Sequence, residues 1–402
     1  MSSNIHKTNS INTSESILSK RVRKFKSIKR GYYSFIVLIT LYILSILAPL
    51  IVNNQALIVK YDSSYYFPAL SDLFSPIINA PHYEGKDFGQ EDIIGTPQYR
   101  KLQEKFNNDP DSYVIMPIYP YSPIEILLDE FPDAEPYIDV NLNEIFDDNE
   151  PYTDTNGNGE WDQAVRPPTN PDWFSGNNLL GTDNRGRDVF ARLVYGFQIS
   201  ITFAIIVATL SYTIGIIAGG ILAFFAGKID LIGVRFIEIY SAFPFLYLLM
   251  ILSSFLKPNI FLLGSLLVIL SGWIGICYYI RGEFYREKAK DYVSAAVSMG
   301  QSNWKIMFKH ILPNSLTPVI TFAPFAIIGY ITTLTSLDFL GFGLQPPTPS
   351  WGELLRQGYE NLESPHLIVS PLLATMFTLF LITFIGEAVR EAFDPKVNSR
   401  LR

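Results

Sequence analysis

The stretch DTNGNGEWD, Asp154 to Asp162, places oxygen-bearing side chains at alternating positions around a glycine. A calcium loop has that spacing: positions one, three and five supply side-chain oxygens, six is a turn glycine, seven gives a backbone carbonyl and twelve is a bidentate glutamate. Asp154, Asn156, Asn158 and Gly159 meet the first four requirements, Glu160 stands at seven and Asp162 at nine. Position twelve is Val165, and Arg166-Pro167-Pro168 follows where a second helix would begin, so a complete helix–loop–helix site is not expected. Two readings stay open. Asp147, Asp148 or Glu150 closes a calcium clip, or the stretch is an Asn-Gly turn that binds nothing. Either way its chemistry is structural. No Gly-x-x-x-x-Gly-Lys-Ser/Thr cradle for a nucleotide phosphate occurs in the chain, and no bond chemistry is expected of it.

A second segment, DYVSAAVSMGQSNWKIMFKHILPN from Asp291 to Asn314, has the residues of a docking unit. Tyr292, Ala295, Ala296 and Met299 recur at three- and four-residue spacing, which predicts one helical face. Gly300 ends that helix, Ser302 or Asn303 caps another, and Pro313 is expected to stop it. Small Ala295 and Ala296 admit a close partner, while Lys305, Lys309 and His310 keep the unit polar outside. An amphipathic connector resting on lipid headgroups is the plainer reading of the same residues.

The elements that position these segments are apolar. The chain has 402 residues, 48% hydrophobic and 14% aromatic. Runs near the roughly 20 residues that a bilayer core requires lie at Gly31–Val52, Ile199–Ala226, Phe236–Leu256, Asn259–Ile280, Leu316–Leu340 and Leu367–Ala388. Six spans are expected, the third and fourth joined by a tight hairpin at Lys257-Pro258-Asn259. Residues 1–30 carry Lys7, Lys20, Arg21, Arg23, Lys24, Lys26, Lys29 and Arg30 against Glu15 alone, which places them in the cytoplasm. An even span count returns the C-terminus to the same side, and the basic segments Arg281–Asn314 and Arg390–Arg402 then lie inside as well. A secretory signal peptide is the competing reading of the first run, whose apolar stretch is long and lacks a small-residue cleavage site.

Residues 53–180 differ from the rest: 23 Asp and Glu against six Lys and Arg give a net charge of −17, leaving +10 elsewhere within the total of −7. They read as an acidic outside domain, β-rich from VKYDSSYYFPAL and YVIMPIYPYSPIEILLDE, without a disulfide because the only cysteine is Cys277. Within the spans Gly215, Gly219, Ala223 and Gly227 make a small-residue face suited to close helix packing inside the chain, or with another subunit. Charges there are few: Glu238, Asp338 and Glu387.

The segment from Asp291 resembles the EAA loop of ATP-binding-cassette importer permeases, at Ala295, Ala296, Gly300, Ile311, Leu312 and Pro313. The family's glutamate is Ser294 here, and Asp291, one turn earlier, offers a carboxylate to the same surface. GTDNRGRDVFARLVYGFQIS (Gly181–Ser200) and SLDFLGFGLQPPTPSWGELL (Ser336–Leu355) resemble the dipeptide and oligopeptide permease subunit of the C type. The start of the outside region, Asn53–Leu70, is similar to the microcin C and oligopeptide permease subgroup. Arg187, Asp188 and Arg192 would make an amphipathic approach helix at the outer surface, and Pro346, Pro347 and Pro349 a rigid extended strap.

The resemblance implies an all-α membrane protein, a six-helix type I importer permease of the cytoplasmic (inner) membrane. It has a large extracytoplasmic insert between helices one and two, and no intrinsic cofactor beyond the calcium in question. Expected partners are two cytoplasmic ATPase subunits that use ATP, a homologous permease subunit, an extracytoplasmic substrate-binding protein and membrane lipid, with no nucleic acid. Asp291, Ser294, Ala295, Ala296, Gly300, Ile311, Leu312 and Pro313 would contact the ATPase. The cargo would be peptides. The alternative is a membrane-anchored sensor or adhesion protein whose calcium-stabilised domain is the working part.

Overall fold

In the computed structural model the described residues are 17–75, 80–90, 95–107, 109–128, 178–256 and 258–394, with 134, 136–140, 146, 151–155, 161 and 166–172 between them. The chain enters through α1 (Ile17–Ser27), α2 (Lys29–Ile46) and the single turn α3 (Ala48–Ile51). The long apolar helices follow residue 188. They are α6 (Val189–Phe225), α7 (Gly227–Ser241) with α8 (Phe245–Phe255), α9 (Ile260–Leu267) with α10 (Ile274–Lys288), α13 (Leu312–Phe339) and α15 (His366–Phe393). Short helices α11 (Asp291–Ser298), α12 (Asn303–Lys305) and α14 (Trp351–Glu360) connect them.

Two of the expected spans are bent. The pair α7 and α8 turns by 68° and the pair ending in α10 by 47°. Pro244 breaks the first, because it has no N–H to donate and forces the residue before it out of helical geometry. A π-helical stretch at Val268–Gly272 precedes the second bend. Among the described residues three helices are long and apolar enough to cross a membrane, or up to five with each bent pair as one span. Helix α2 is not among them, since it opens on Lys29 and Arg30 and its 18 residues leave little apolar length. Where a tight hairpin is expected, α8 ends at Phe255 and Asn259 caps α9 by accepting the Leu262 N–H at 2.9 Å; Lys257 lies outside the described residues.

The small-residue face of α6 packs within the chain. A Cβ on Gly215 would overlap Ile276, and one on Gly219 would overlap the carbonyl oxygen of Cys277, so α6 and α10 touch backbone to backbone. Gly227 is not part of this face. Its φ is +55° and a Cβ would meet nothing, because it lies where α6 breaks into α7.

The region between α3 and α6 is mixed rather than β-rich among the described residues. Its sheet has three antiparallel strands in the order β2-β1-β3: β1 is Ile58–Tyr61, β2 is Ser64–Tyr66 and β3 is Tyr113–Ile115. Asp62 and Ser63, with φ of 47° and 60°, make the tight hairpin turn. Helices α4 (Pro68–Phe74) and α5 (Tyr99–Phe106) complete the unit, with Val59, Phe88, Tyr99, Leu102 and Val114 as its core. The expected second strand run stops after Ile115 because Pro117, Pro120 and Pro123 remove the donors a ladder needs.

Candidate functional site

Helix α11 is anchored by Val293 and Ala296, which are buried with Phe224, Ile280, Phe284 and Ile311. At about 100° per residue, turning that pair inward turns others outward. Ser294, Ala295 and Met299 therefore face solvent and Tyr292 is half-buried, so the expected face of Tyr292, Ala295, Ala296 and Met299 is split. Ala296 lets α11 approach its own bundle, while Ala295 is exposed.

Gly300 ends the helix as expected, with φ +70°. Its N–H donates to the Val297 carbonyl at 2.9 Å and the Gln301 N–H to that of Ala296 at 3.2 Å, the paired bonds of a left-handed C-terminal cap. The second helix does not stop at Pro313. It runs from α12 through a π-helical turn, Ile306–Ile311, straight into α13, one helix of 37 residues from Asn303 to Phe339. Pro313 lies in the first turn of α13, and the wider turn before it accommodates a ring that would otherwise strike the carbonyl four residues back. Ile311 is buried, Leu312 half-buried and Pro313 exposed.

Polar contacts fix the unit at both ends. Glu287 accepts from Lys290 Nζ at 2.7 Å and from the Tyr292 hydroxyl at 2.8 Å. Asn314 donates to Tyr292 Oη at 3.2 Å and to the His310 carbonyl at 3.0 Å, and His310 pairs with Gln301 at 2.7 Å. Burial, with the Glu287 carboxylate beside it, pushes the Tyr292 phenol up. Outside this frame several apolar side chains stand open. Val297, Met299, Trp304 and Phe308 are 59, 69, 58 and 45% exposed, and the last two rings stack with centroids 5.7 Å apart. The aromatic pair was not singled out from the sequence; its i, i+4 spacing in NWKIMF was the available signal.

At the opposite end of the long helices a buried ionic cluster joins two sequence motifs. Arg187 Nε donates to Asp183 at 2.8 Å and its Nη2 to Glu353 at 3.0 Å; Arg192 also donates to Glu353. Both arginines are buried, so the expected amphipathic approach helix is instead a sealed joint. Asp338 takes the Leu344 N–H at 2.7 Å and the Ser350 hydroxyl, and Ser350 caps α14. The proline strap is thus a set of turns folded around Asp338, with Pro346-Pro347 cis, rather than extended. The region between α3 and α6 is tied to the same joint. Tyr119 Oη donates to Asp188 at 2.6 Å and Arg192 to the Pro123 carbonyl at 3.1 Å. Burial pushes the Asp188 carboxyl up to about 6, against hydrogen bonds from Ala191 N–H and Tyr119 that favour the anion.

Residues 211–399 match the family described as binding-protein-dependent transport system inner membrane component. The chain is 36% identical over 384 residues to the peptidoglycan transport system permease protein YejE of Agrobacterium fabrum, covering 95% of this chain and 93% of that one. The chain belongs to this permease family. It is likewise 36% identical to the inner membrane ABC transporter permease protein YejE of Escherichia coli, over 93% of this chain and 96% of the relative. The oligopeptide transport system permease protein OppC of Haemophilus influenzae matches 59% of this chain at 37% identity, with 75% of its own length covered. An alignment over 95% of this chain has to include most of residues 53–180, so that region aligns with the YejE protein as well.

As a permease the protein is an inner membrane transport component and not an enzyme. The family works with a binding protein, and its ABC members with ATPase subunits. Of the calcium-loop residues, Asn156, Asn158, Glu160 and Asp162 lie outside the described residues, as do Asp147, Asp148 and Glu150. Among the described residues no group of three or more His, Cys, Asp or Glu is placed to hold a metal.

Proposed function

We propose that this permease carries peptides inward, with ATP hydrolysed by two cytoplasmic subunits that dock on the Asp291–Pro313 unit. Relatives named for peptidoglycan, oligopeptide and dipeptide transport support the cargo class. Exposed Val297, Met299, Trp304 and Phe308 carry the docking assignment. These side chains share the segment with exposed Asp291, Ser294, Ala295 and Gly300, and the segment is anchored through buried Val293, Ala296 and Ile311. Both termini are cytoplasmic in this reading, and α2 with α3 serves as the first of six spans. Residues 53–180 face outward to seat the binding protein, carry any calcium at Asp154–Asp162, and leave residues 181–402 as the permease core. A homologous permease subunit completes the pathway. The sensor or adhesion reading has no comparable support, because the match to transport permeases runs through the membrane part and the outside region alike.

Co-purification tests the docking surface. Met299→Glu with Trp304→Glu should release the ATPase and stop peptide uptake, with the melting temperature of the permease lowered only by the loss of the Trp304–Phe308 stack, because both side chains are more than half exposed. If the ATPase stays bound and uptake persists in that variant, the assignment is wrong.

A further inference from the structure

The N-terminal helix α1, ILSKRVRKFKS, is basic throughout and has no acidic residue. Its inner side is anchored to the end of α15. Arg21 sits over the Phe393 ring at 4.7 Å, Lys24 Nζ donates to the Glu391 carbonyl at 2.6 Å, and Phe25 makes an edge contact with Phe35 of α2 at 5.8 Å. The outer side has two edges. Leu18 and Val22, one turn apart, are 63 and 46% exposed, and beside them Lys26, Arg23 and Lys20 follow at three-residue steps, all exposed. Lys29 and Arg30 then open α2, the latter paired with Glu387 at 3.3 Å. An apolar edge next to a cationic edge, on a helix leading directly into a span, fits neither bulk water nor the hydrocarbon. It fits the boundary between them.

We propose that the outer side of α1 is a binding surface for anionic phospholipid headgroups of the cytoplasmic leaflet. Lys20 and Lys26 take the headgroups, and Leu18 and Val22 reach the acyl boundary. Charge complementarity commits the surface to lipid: Lys20 and Lys26 stand exposed on a helix that carries no acidic residue, and anionic lipid attracts such cations next to a span. The consequence reaches the transport core, because the inner side of α1 grips the end of α15. The proposal rests on the cytoplasmic placement of residues 1–30.

Lipid retention tests it on full-length protein in detergent micelles offered phosphatidylglycerol or phosphatidylcholine, with bound lipid counted by native mass spectrometry. Wild type should retain phosphatidylglycerol in preference, and Lys20→Gln with Lys26→Gln should cut that preference by about fivefold for each Lys removed. Equal retention of the two lipids by wild type, or an unchanged preference in the variant, overturns the proposal. A polarity-sensitive dye on Val22→Cys gives a second reading, with Cys277 buried and out of reach. Its emission should shift to the blue in phosphatidylglycerol-containing nanodiscs and not in phosphatidylcholine; the same emission in both overturns the acyl contact. Sidedness is read separately, by an impermeant maleimide on Val22→Cys in right-side-out and inverted vesicles. Labelling from outside would refute the cytoplasmic placement, while the retention ratio judges the lipid surface by itself.

Discussion

Arg187 and Glu353 meet at 3.0 Å across 166 residues of chain, with side chains 2 and 4% exposed. Removing one partner strands a buried charge, which costs about 3–5 kcal/mol. Arg187→Met and Glu353→Gln should each lower the melting temperature in detergent steeply and reduce the folded yield. A melting temperature within a degree or so of wild type would show that the pair is dispensable.

Asp188 sets a pH dependence. With its folded value raised to about 6 from the ordinary 3.8, the folded protein holds a proton that the unfolded chain has released between those values. Stability from this group therefore falls as pH rises through the window and levels off above it. Melting temperatures of wild type and Asp188→Asn, compared at the two ends of the window, should show this slope in the wild type and its loss in the variant. Parallel curves would contradict it.

Gly219 and Gly275 give opposite outcomes for one substitution. At Gly219 a Cβ would overlap the Cys277 carbonyl, so Gly219→Ala forces α6 and α10 apart, at about 1–3 kcal/mol. At Gly275 a Cβ meets nothing within 4 Å, and Gly275→Ala should be neutral or stabilise by up to about 1 kcal/mol. Thermal unfolding of the two variants in the same detergent is the comparison.

At Gly300 the space is open and only the backbone objects. Gly300→Ala should cost about 1–2 kcal/mol through the left-handed φ, and Gly300→Asn less. If the cap aims Met299 at the ATPase, the Ala variant should also lose co-purified ATPase and the Asn variant keep more of it. Equal loss in both would point away from the backbone.

For the Asp154–Asp162 loop, titration calorimetry of the full-length protein with millimolar calcium separates the two readings: a calcium clip gives heat that Asp154→Ala with Asp162→Ala abolishes. Absence of heat, or heat unchanged in the variant, leaves the loop as an Asn-Gly turn.

The parts that periodicity governs were legible. Apolar runs located the long helices, and Gly300 announced the end of α11. Bends were not, because Pro244 and the π-helical stretch Val268–Gly272 act through local backbone geometry that hydropathy does not carry. Pro313 misled for the same reason: a proline ordinarily marks a helix end, and only the unusual turn before it lets the helix continue. Arg187 and Arg192 misled differently. Charged residues beside a span suggest a surface, and their burial depends on Glu353, a partner about 160 residues away that spacing cannot reveal.

The uninterrupted run from Asn303 to Phe339 has a mechanical meaning. A helix of 37 residues at about 1.5 Å each is a rod of about 55 Å. One end carries Trp304 and the other is clamped at Asp338. Such a rod transmits displacement unless it yields somewhere, and its compliant points are the π turn at Ile306–Ile311, Pro318 and Pro324. The π turn and Pro318 lie in the half nearer Trp304 and Pro324 just past the middle, so a torque applied there bends that part first and leaves the stretch beyond Pro324 to tilt as one stiff lever.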